Sequence, residues 1–305
     1  MNADPRAPKM APRPRGAGGR DVRRAVAEAA RTLAAAGVAA PRTDAELLAA
    51  HVLGVPRGAL LLVDAFAPAA AARYAALVAR RAAREPLQHL TGVAGFRRLE
   101  LAVGPGVFVP RPETELLAGW GVAAAAALAA PLVVDLCAGS GAVALAVAQE
   151  VPAARVVAVE REPAALAWLR RNVAARAAAG DRPIEVVAGD VADPGLLAEL
   201  AGAVDVLLCN PPYVPVGTPV PAEVAEHDPA VAVFGGPDGL AVLRPVADRA
   251  AALLRAGGGL GVEHDDAHGA AVPALLAAGG RFTDVRAHAD LTGRPRFCTA
   301  RRVAD

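Results

Sequence analysis

The sequence predicts an α/β protein, with a parallel sheet covered on both faces behind an amino-terminal helical domain. Three observations carry this prediction. From about residue 113 onward, short apolar runs alternate with helical runs, the pattern of a parallel sheet. Residues 21–90 show helical spacing. The length of 305 residues suits two domains, one of them large enough for a sizeable core.

Composition narrows the class further. Hydrophobic residues make up 54% and aromatics only 3%, with alanine, a strong helix former, supplying much of the apolar count. Lys9 is the only lysine, arginine carries nearly all the positive charge, and the net charge is +1. That balance argues against a chain that coats nucleic acid, so no direct nucleic-acid binding is expected. Cys137, Cys209 and Cys298 show neither metal-ligand nor disulfide spacing, which fits a cytoplasmic setting. The six histidines form no ligand cluster, so no metal is expected. The uncharged run 116–134 approaches the ~20 residues of a membrane span. However, Gly119, Gly121 and Pro131 interrupt it, and Glu115 and Asp135 flank it. A soluble helix, a turn and a strand are expected there, with no membrane partner. The first residues lack the apolar core of a secretory signal.

Taken in order, residues 1–20 are rich in Pro, Gly, Ala and Arg and read as a disordered tail. In 21–90, Val22, Val26, Ala29, Ala30 and Leu33 recur at helical spacing, and Gly37 ends that helix. Thr43 is placed to cap a second helix over 44–53, ended by Gly54. A third runs over 68–84. This domain carries no catalytic constellation, so packing or substrate recognition is its expected job. Residues 91–112 mix glycines with β-formers and read as a hairpin linking the two domains. In 113–305, strands are expected at 132–136, 155–159, 184–187, 204–209 and 258–263, with an antiparallel pair at 282–287 and 297–301. Helices are expected at 142–150, 163–177, 195–200 and 239–254.

The strand ending in Asp135 and Leu136 runs into Cys137-Ala138-Gly139-Ser140-Gly141, then a helix. Glycines there let a ligand approach the backbone, and a helix N-terminus offers free N–H groups. The spacing differs from the dinucleotide fingerprint, since Ala144 stands at the third glycine position. The next strand ends at Glu160, placed to accept ribose hydroxyls. Glu162 lies beyond that tip. The third ends near Asp190, a candidate acceptor for an adenine amino group, with Val191 packing on the ring. Read singly, each acid is an ordinary turn or pre-helix residue. Together at successive strand tips they outline an acidic crevice, which suits a cationic nucleoside better than a dinucleotide.

The fourth strand ends in Asn210-Pro211-Pro212-Tyr213. Two prolines stiffen the loop. The Asn210 side-chain oxygen and the Pro211 carbonyl can both accept from one –NH2 group, and Tyr213 can pack against a planar amide or base. Glu263 and His264 end the strand at 258–263, but nothing in the spacing ties them to the acceptor. Phe108 and Arg111 either contact substrate or anchor the hairpin.

The chain from about residue 21 resembles the release-factor glutamine methyltransferases, the HemK/PrmC family. The residues that carry the resemblance are Arg84-Glu85-Pro86-Leu87-Gln88-His89-Leu90-Thr91-Gly92, Phe108-Val109-Pro110-Arg111-Pro112-Glu113-Thr114-Glu115, and Asn210-Pro211-Pro212-Tyr213. The resemblance implies a Rossmann-like class I methyltransferase fold and S-adenosylmethionine as cofactor. It implies as substrate the glutamine of the Gly-Gly-Gln loop in class 1 peptide chain release factors. It implies that 137–141, Glu160, Val191 and Asn210 touch the cofactor and that 210–213 bind the glutamine. Cys137 stands where the family usually has glycine, Glu160 where aspartate is usual, and Val191 where an aromatic often lies. Related enzymes that methylate a ribosomal-protein glutamine or a nucleic-acid amino group remain the alternatives.

Overall fold

A computed structural model describes residues 19–304. The expected tail falls mostly on 1–18, outside the described residues. Arg20, assigned to that tail, instead forms strand β1 (Arg20–Asp21), paired antiparallel with β2 (Ala65–Phe66). The chain divides into two compact units between Leu90 and Thr91.

The first unit is built on α1 (Val22–Ala35), α2 (Pro41–Leu53) and α3 (Pro68–Ala82). Asp21 caps α1 by accepting the Arg24 N–H at 2.7 Å. Thr43 does not cap α2. The helix starts two residues earlier, at Pro41, whose fixed φ suits the first helical position and whose missing N–H costs nothing there. Gly54, at φ 65°, ends α2 in the left-handed conformation. Leu33, Leu48 and Phe66 are fully buried in the core, and Asp44 meets Arg81 in a buried ion pair at 2.8 Å. A short helix, α4 (Leu87–Thr91), lies at the boundary.

The second unit opens with an antiparallel hairpin, β3 (Val93–Phe96) and β4 (Leu99–Ala102). Phe96, Leu99 and Leu101 are buried in the same cluster as α5 (Thr114–Ala126) and β5 (Leu132–Leu136), so this hairpin is packed as part of the unit. The remaining elements are α6 (Ala142–Glu150), β6 (Arg155–Glu160), α7 (Pro163–Ala178), β7 (Glu185–Ala188), β8 (Val204–Cys209), α8 (Ala222–His227), α9 (Ala230–Val233), α10 (Leu243–Leu253), β9 (Leu254–Glu263), α11 (Ala271–Ala278), β10 (Phe282–Ala289) and β11 (Pro295–Arg302).

Seven strands form one sheet in the order β10-β11-β9-β8-β5-β6-β7. The five from β9 to β7 are parallel, and β11 pairs antiparallel with both β9 and β10. Alternate residues of β5 serve opposite faces, as the pleat requires. Val133 packs into the cluster containing α5, α6 and α7, while Val134 and Leu136 pack into the one containing α10 and α11. Gly121 permits close seating of α5, since a Cβ there would lie 2.5 Å from Leu208 Cδ1. This is the parallel sheet that the sequence pattern predicts, and the class I methyltransferase sheet that the resemblance implies.

Two helical expectations shorten. The helix at 195–200 is only a 3-10 turn, Ala198–Leu200, because Leu197 sits at φ 54°. The helix at 239–254 begins at Leu243, because Gly239 sits at φ 73° in a turn. Among the described residues, no helix is long and apolar enough to cross a membrane.

Candidate active site

The parallel strands β5, β6 and β8 end along one edge, and a cavity of about 350 Å³ opens there. Cys137, Gly139 and Gly141 take φ of 59°, 57° and 87°, three left-handed residues in five. This bends the chain sharply from β5 into α6. The conformation suits glycine and strains cysteine, a backbone reason for the family's usual glycine at 137. Gly141 caps α6, and a Cβ on it would meet Leu169 Cδ1 at 2.5 Å. Gly141 therefore serves packing and is absent from the cavity wall, whereas Cys137, Ala138, Gly139 and Ser140 line it.

Two carboxylates border the turn. Asp135 is 1% exposed and accepts the Ala144 N–H at 3.0 Å. Burial pushes its pKa up to about 8, opposed by that backbone bond and reinforced by nearby Glu160. Glu160 accepts three backbone N–H groups: Gly139 at one oxygen and Arg161 and Glu162 at the other, each at 2.8 Å. A carboxylate has about four acceptor sites. A grip on two ribose hydroxyls therefore needs the Gly139 N–H to be shared or released. Glu162 sits at the cavity wall but starts α7, as its place beyond the strand tip suggests.

Asp190 stands apart from the other predicted residues. Its carboxylate meets Arg161 at 3.2 Å and accepts the Ala192 N–H at 2.9 Å, closing a local turn. Gly189 and Val191 on either side line the cavity, and Asp190 does not. Val191 is buried in the core cluster of the sheet and lines the cavity.

Asn210-Pro211-Pro212-Tyr213 leaves β8 into the same cavity, all four residues lining it. Asn210 Nδ2 donates to Thr114 Oγ1 at 3.1 Å. With its nitrogen end engaged, the amide keeps its oxygen end for another donor. The Tyr213 hydroxyl donates to Glu263 Oε1 at 3.0 Å. Burial first, then the Glu263 charge, pushes the Tyr213 hydroxyl pKa upward, so it stays protonated. Gly239 makes room for this loop, since a Cβ there would lie 2.3 Å from the Tyr213 carbonyl oxygen.

Phe108 lines the cavity with the Arg111 guanidinium 4.7 Å from its ring centroid. Arg111 in turn pairs with Asp228 at 2.5 Å. That pair ties the segment before α5 to the loop carrying α8 and α9, whose Val224, Val231 and Val233 cover the cavity. Glu263, the residue the spacing left unassigned, is 1% exposed at the tip of β9, beside Tyr213. No sequence spacing could reveal it, because sheet order alone brings β9 next to β8.

Comparison with known proteins identifies the family. Residues 24–92 match the PrmC N-terminal domain and residues 118–226 the methyltransferase small domain. The chain is 56% identical over 283 residues to the release factor glutamine methyltransferase of Mycolicibacterium smegmatis, covering 93% of this chain and 98% of that protein. It is 50% identical to the release factor glutamine methyltransferase of Streptomyces coelicolor, covering 91% of this chain and 97% of that protein. A 4-amino-L-phenylalanine/4-methylamino-L-phenylalanine methyltransferase of Streptomyces pristinaespiralis is 42% identical, covering 85% of this chain and 88% of that protein. With such identity over nearly its whole length, the chain belongs to the release factor glutamine methyltransferase family.

Proposed function

We propose that this protein transfers the methyl group of S-adenosylmethionine to the side-chain amide nitrogen of the glutamine in the Gly-Gly-Gln loop of class 1 peptide chain release factors, in the cytoplasm. The observation that carries the reading is Asn210. Its Nδ2 is held by Thr114, so its Oδ1 remains to accept from an incoming –NH2 group, in the same cavity as Asp135 and Glu160.

The cavity fits the cofactor chemically. Glu160 can accept from a ribose, Val191 offers an apolar wall for adenine, and Gly139 leaves its side open, with nothing within 4 Å of a Cβ position. The cofactor supplies a methyl group already activated on a sulfonium, so the protein's task is orientation. An amide lone pair is delocalised and poorly nucleophilic. Asn210 Oδ1 and the Pro211 carbonyl, each accepting one N–H hydrogen, hold the nitrogen and favour the positive charge that grows on it. Phe108 and Tyr213 bound the space for a planar amide.

The amino-phenylalanine relative makes a small arylamine the second reading, because an –NH2 group on a ring presents the same two hydrogens to Asn210 and Pro211. Labelled S-adenosylmethionine distinguishes the readings when offered with purified release factor, its Gly-Gly-Ala variant, ribosomal protein, DNA and 4-aminophenylalanine. Label should enter the intact release factor. Label in the variant, or only in another acceptor, overturns the reading.

A further inference from the structure

Asn210 can act as an acceptor only if its amide is turned the right way, and the two ends of an amide are nearly identical in shape. The structure holds a device that chooses between them. Thr114, 4% exposed at the first position of α5, receives the Asn210 Nδ2–H at 3.1 Å. Its hydroxyl carries one hydrogen, which must go elsewhere while the oxygen accepts. Thr114 and Glu263 line the same cavity. The Thr114 hydroxyl favours the ionised form of Glu263, and does so more strongly than the Tyr213 hydroxyl. Glu263 Oε1 is occupied by Tyr213, while Oε2 is buried without a partner.

We propose that Glu263 and Thr114 are positioning residues that set the amide of Asn210. The ionised Glu263 carboxylate accepts the Thr114 hydroxyl hydrogen, Thr114 Oγ1 must then accept from Asn210 Nδ2, and Asn210 Oδ1 is left facing the acceptor. Protonated Glu263 reverses the relay. Its O–H donates to Thr114, whose hydroxyl then donates to Asn210 Oδ1. The Asn210 –NH2 group would be turned toward the substrate –NH2, donor against donor. The same carboxylate fixes Tyr213, so one ionisation aligns two residues of the tetrapeptide.

The charged and titratable groups around Glu263 are Arg296 from β11, Glu113 before α5 and Tyr213 after β8. Burial raises its pKa to about 7, against Thr114, Tyr213 and Arg296, which lower it. The relay thus switches on as pH rises through the neutral range.

This inference rests on the proposed amide-transfer reading, so the assay uses whichever acceptor the wild-type enzyme labels. A wild type that labels only another acceptor tells against that reading, and the relay is still tested on the acceptor found. Single-turnover rates at saturating S-adenosylmethionine are compared for wild type, Thr114→Val, Thr114→Ser and Glu263→Gln. Cofactor affinity and melting temperature are measured alongside. Thr114→Val and Glu263→Gln should slow transfer roughly ten- to a hundredfold with little change in cofactor affinity. Thr114→Ser, which keeps the hydroxyl, should recover most of that loss. The wild-type rate should climb with pH near neutrality, and Glu263→Gln should lose that limb. Should Glu263→Gln fail to fold, the Thr114 pair decides alone. The relay is overturned by Thr114→Val at the wild-type rate, by Thr114→Ser as slow as Thr114→Val, or by a Glu263→Gln enzyme that keeps the neutral pH limb.

Discussion

Asp135 couples cofactor binding to a proton. Its carboxyl is almost fully buried, receives one backbone N–H and has Glu160 nearby, so its pKa rises from 3.8 to about 8. The sign for stability follows directly. Between roughly pH 4 and pH 8 the unfolded chain has released a proton that the folded chain still holds. Stability of the ligand-free protein therefore falls as pH rises through that window and levels off above it. A sulfonium in the same cavity favours the ionised carboxylate, so binding at neutral pH expels the proton. Below about pH 8 the affinity should rise up to tenfold per pH unit, with as much as one proton released per cofactor. Calorimetry from roughly pH 6 to 9, in two buffers of different ionisation enthalpy, measures both quantities. Asp135→Asn still accepts the Ala144 N–H but cannot ionise. The Asp135 share of the proton release and its slope should vanish in that variant, leaving whatever Glu263 contributes. Wild-type binding that is independent of pH and of buffer, or an Asp135→Asn protein with the wild-type slope, would refute the coupling.

Three further predictions address the cavity wall. Asn210→Ala deletes the acceptor without adding charge, so single-turnover methyl transfer should fall a hundred- to a thousandfold, or ~3–4 kcal/mol, with cofactor affinity much less affected. Asn210→Asp keeps an oxygen and should lie between Ala and wild type; a normal rate for the Ala variant would reduce the tetrapeptide to a turn. Glu160→Ala should weaken cofactor binding by about ten- to a hundredfold. It should also lower the melting temperature, because three backbone N–H groups lose their acceptor. Calorimetry showing unchanged affinity would leave Glu160 a brace for the glycine turn. Cys137→Gly relieves a left-handed residue at φ 59°, a strain of ~1–2 kcal/mol, partly offset by ~0.5–1 kcal/mol of added chain entropy. A thermal melt should shift upward by roughly 1–3 °C, and a downward shift would show that the thiol packs better than the backbone suffers.

What was legible in the sequence was local. Leu132–Leu136 and Val204–Cys209 have the bounds read from their apolar runs, because a buried parallel strand is continuous in hydrophobicity and ends at turn residues. The glycine turn and Asn210-Pro211-Pro212-Tyr213 could be read because their chemistry lies in consecutive residues. Helix starts were less legible. Thr43 looked like a cap, yet Pro41 began the helix. The links that complete the site were not legible at all. Asn210 meets Thr114 across 96 residues because α5 seats on β8, and Tyr213 meets Glu263 across 50 because β9 lies next to β8. Asp190 shows the reverse case. Its place at a strand tip suggested the cavity, but its carboxylate closes a local turn onto the Ala192 N–H and pairs with Arg161, 29 residues away.

The central claim is that Asn210 presents an amide nitrogen of a release-factor glutamine to the methyl donor. Fragmentation mass spectrometry of release factor treated with wild-type enzyme, and with Asn210→Ala enzyme, tests it most directly. The account predicts one added methyl on the side-chain nitrogen of the Gly-Gly-Gln glutamine with wild type, and almost none with Asn210→Ala in the same time. A methyl on any other residue, or equal glutamine methylation by both enzymes, would contradict it.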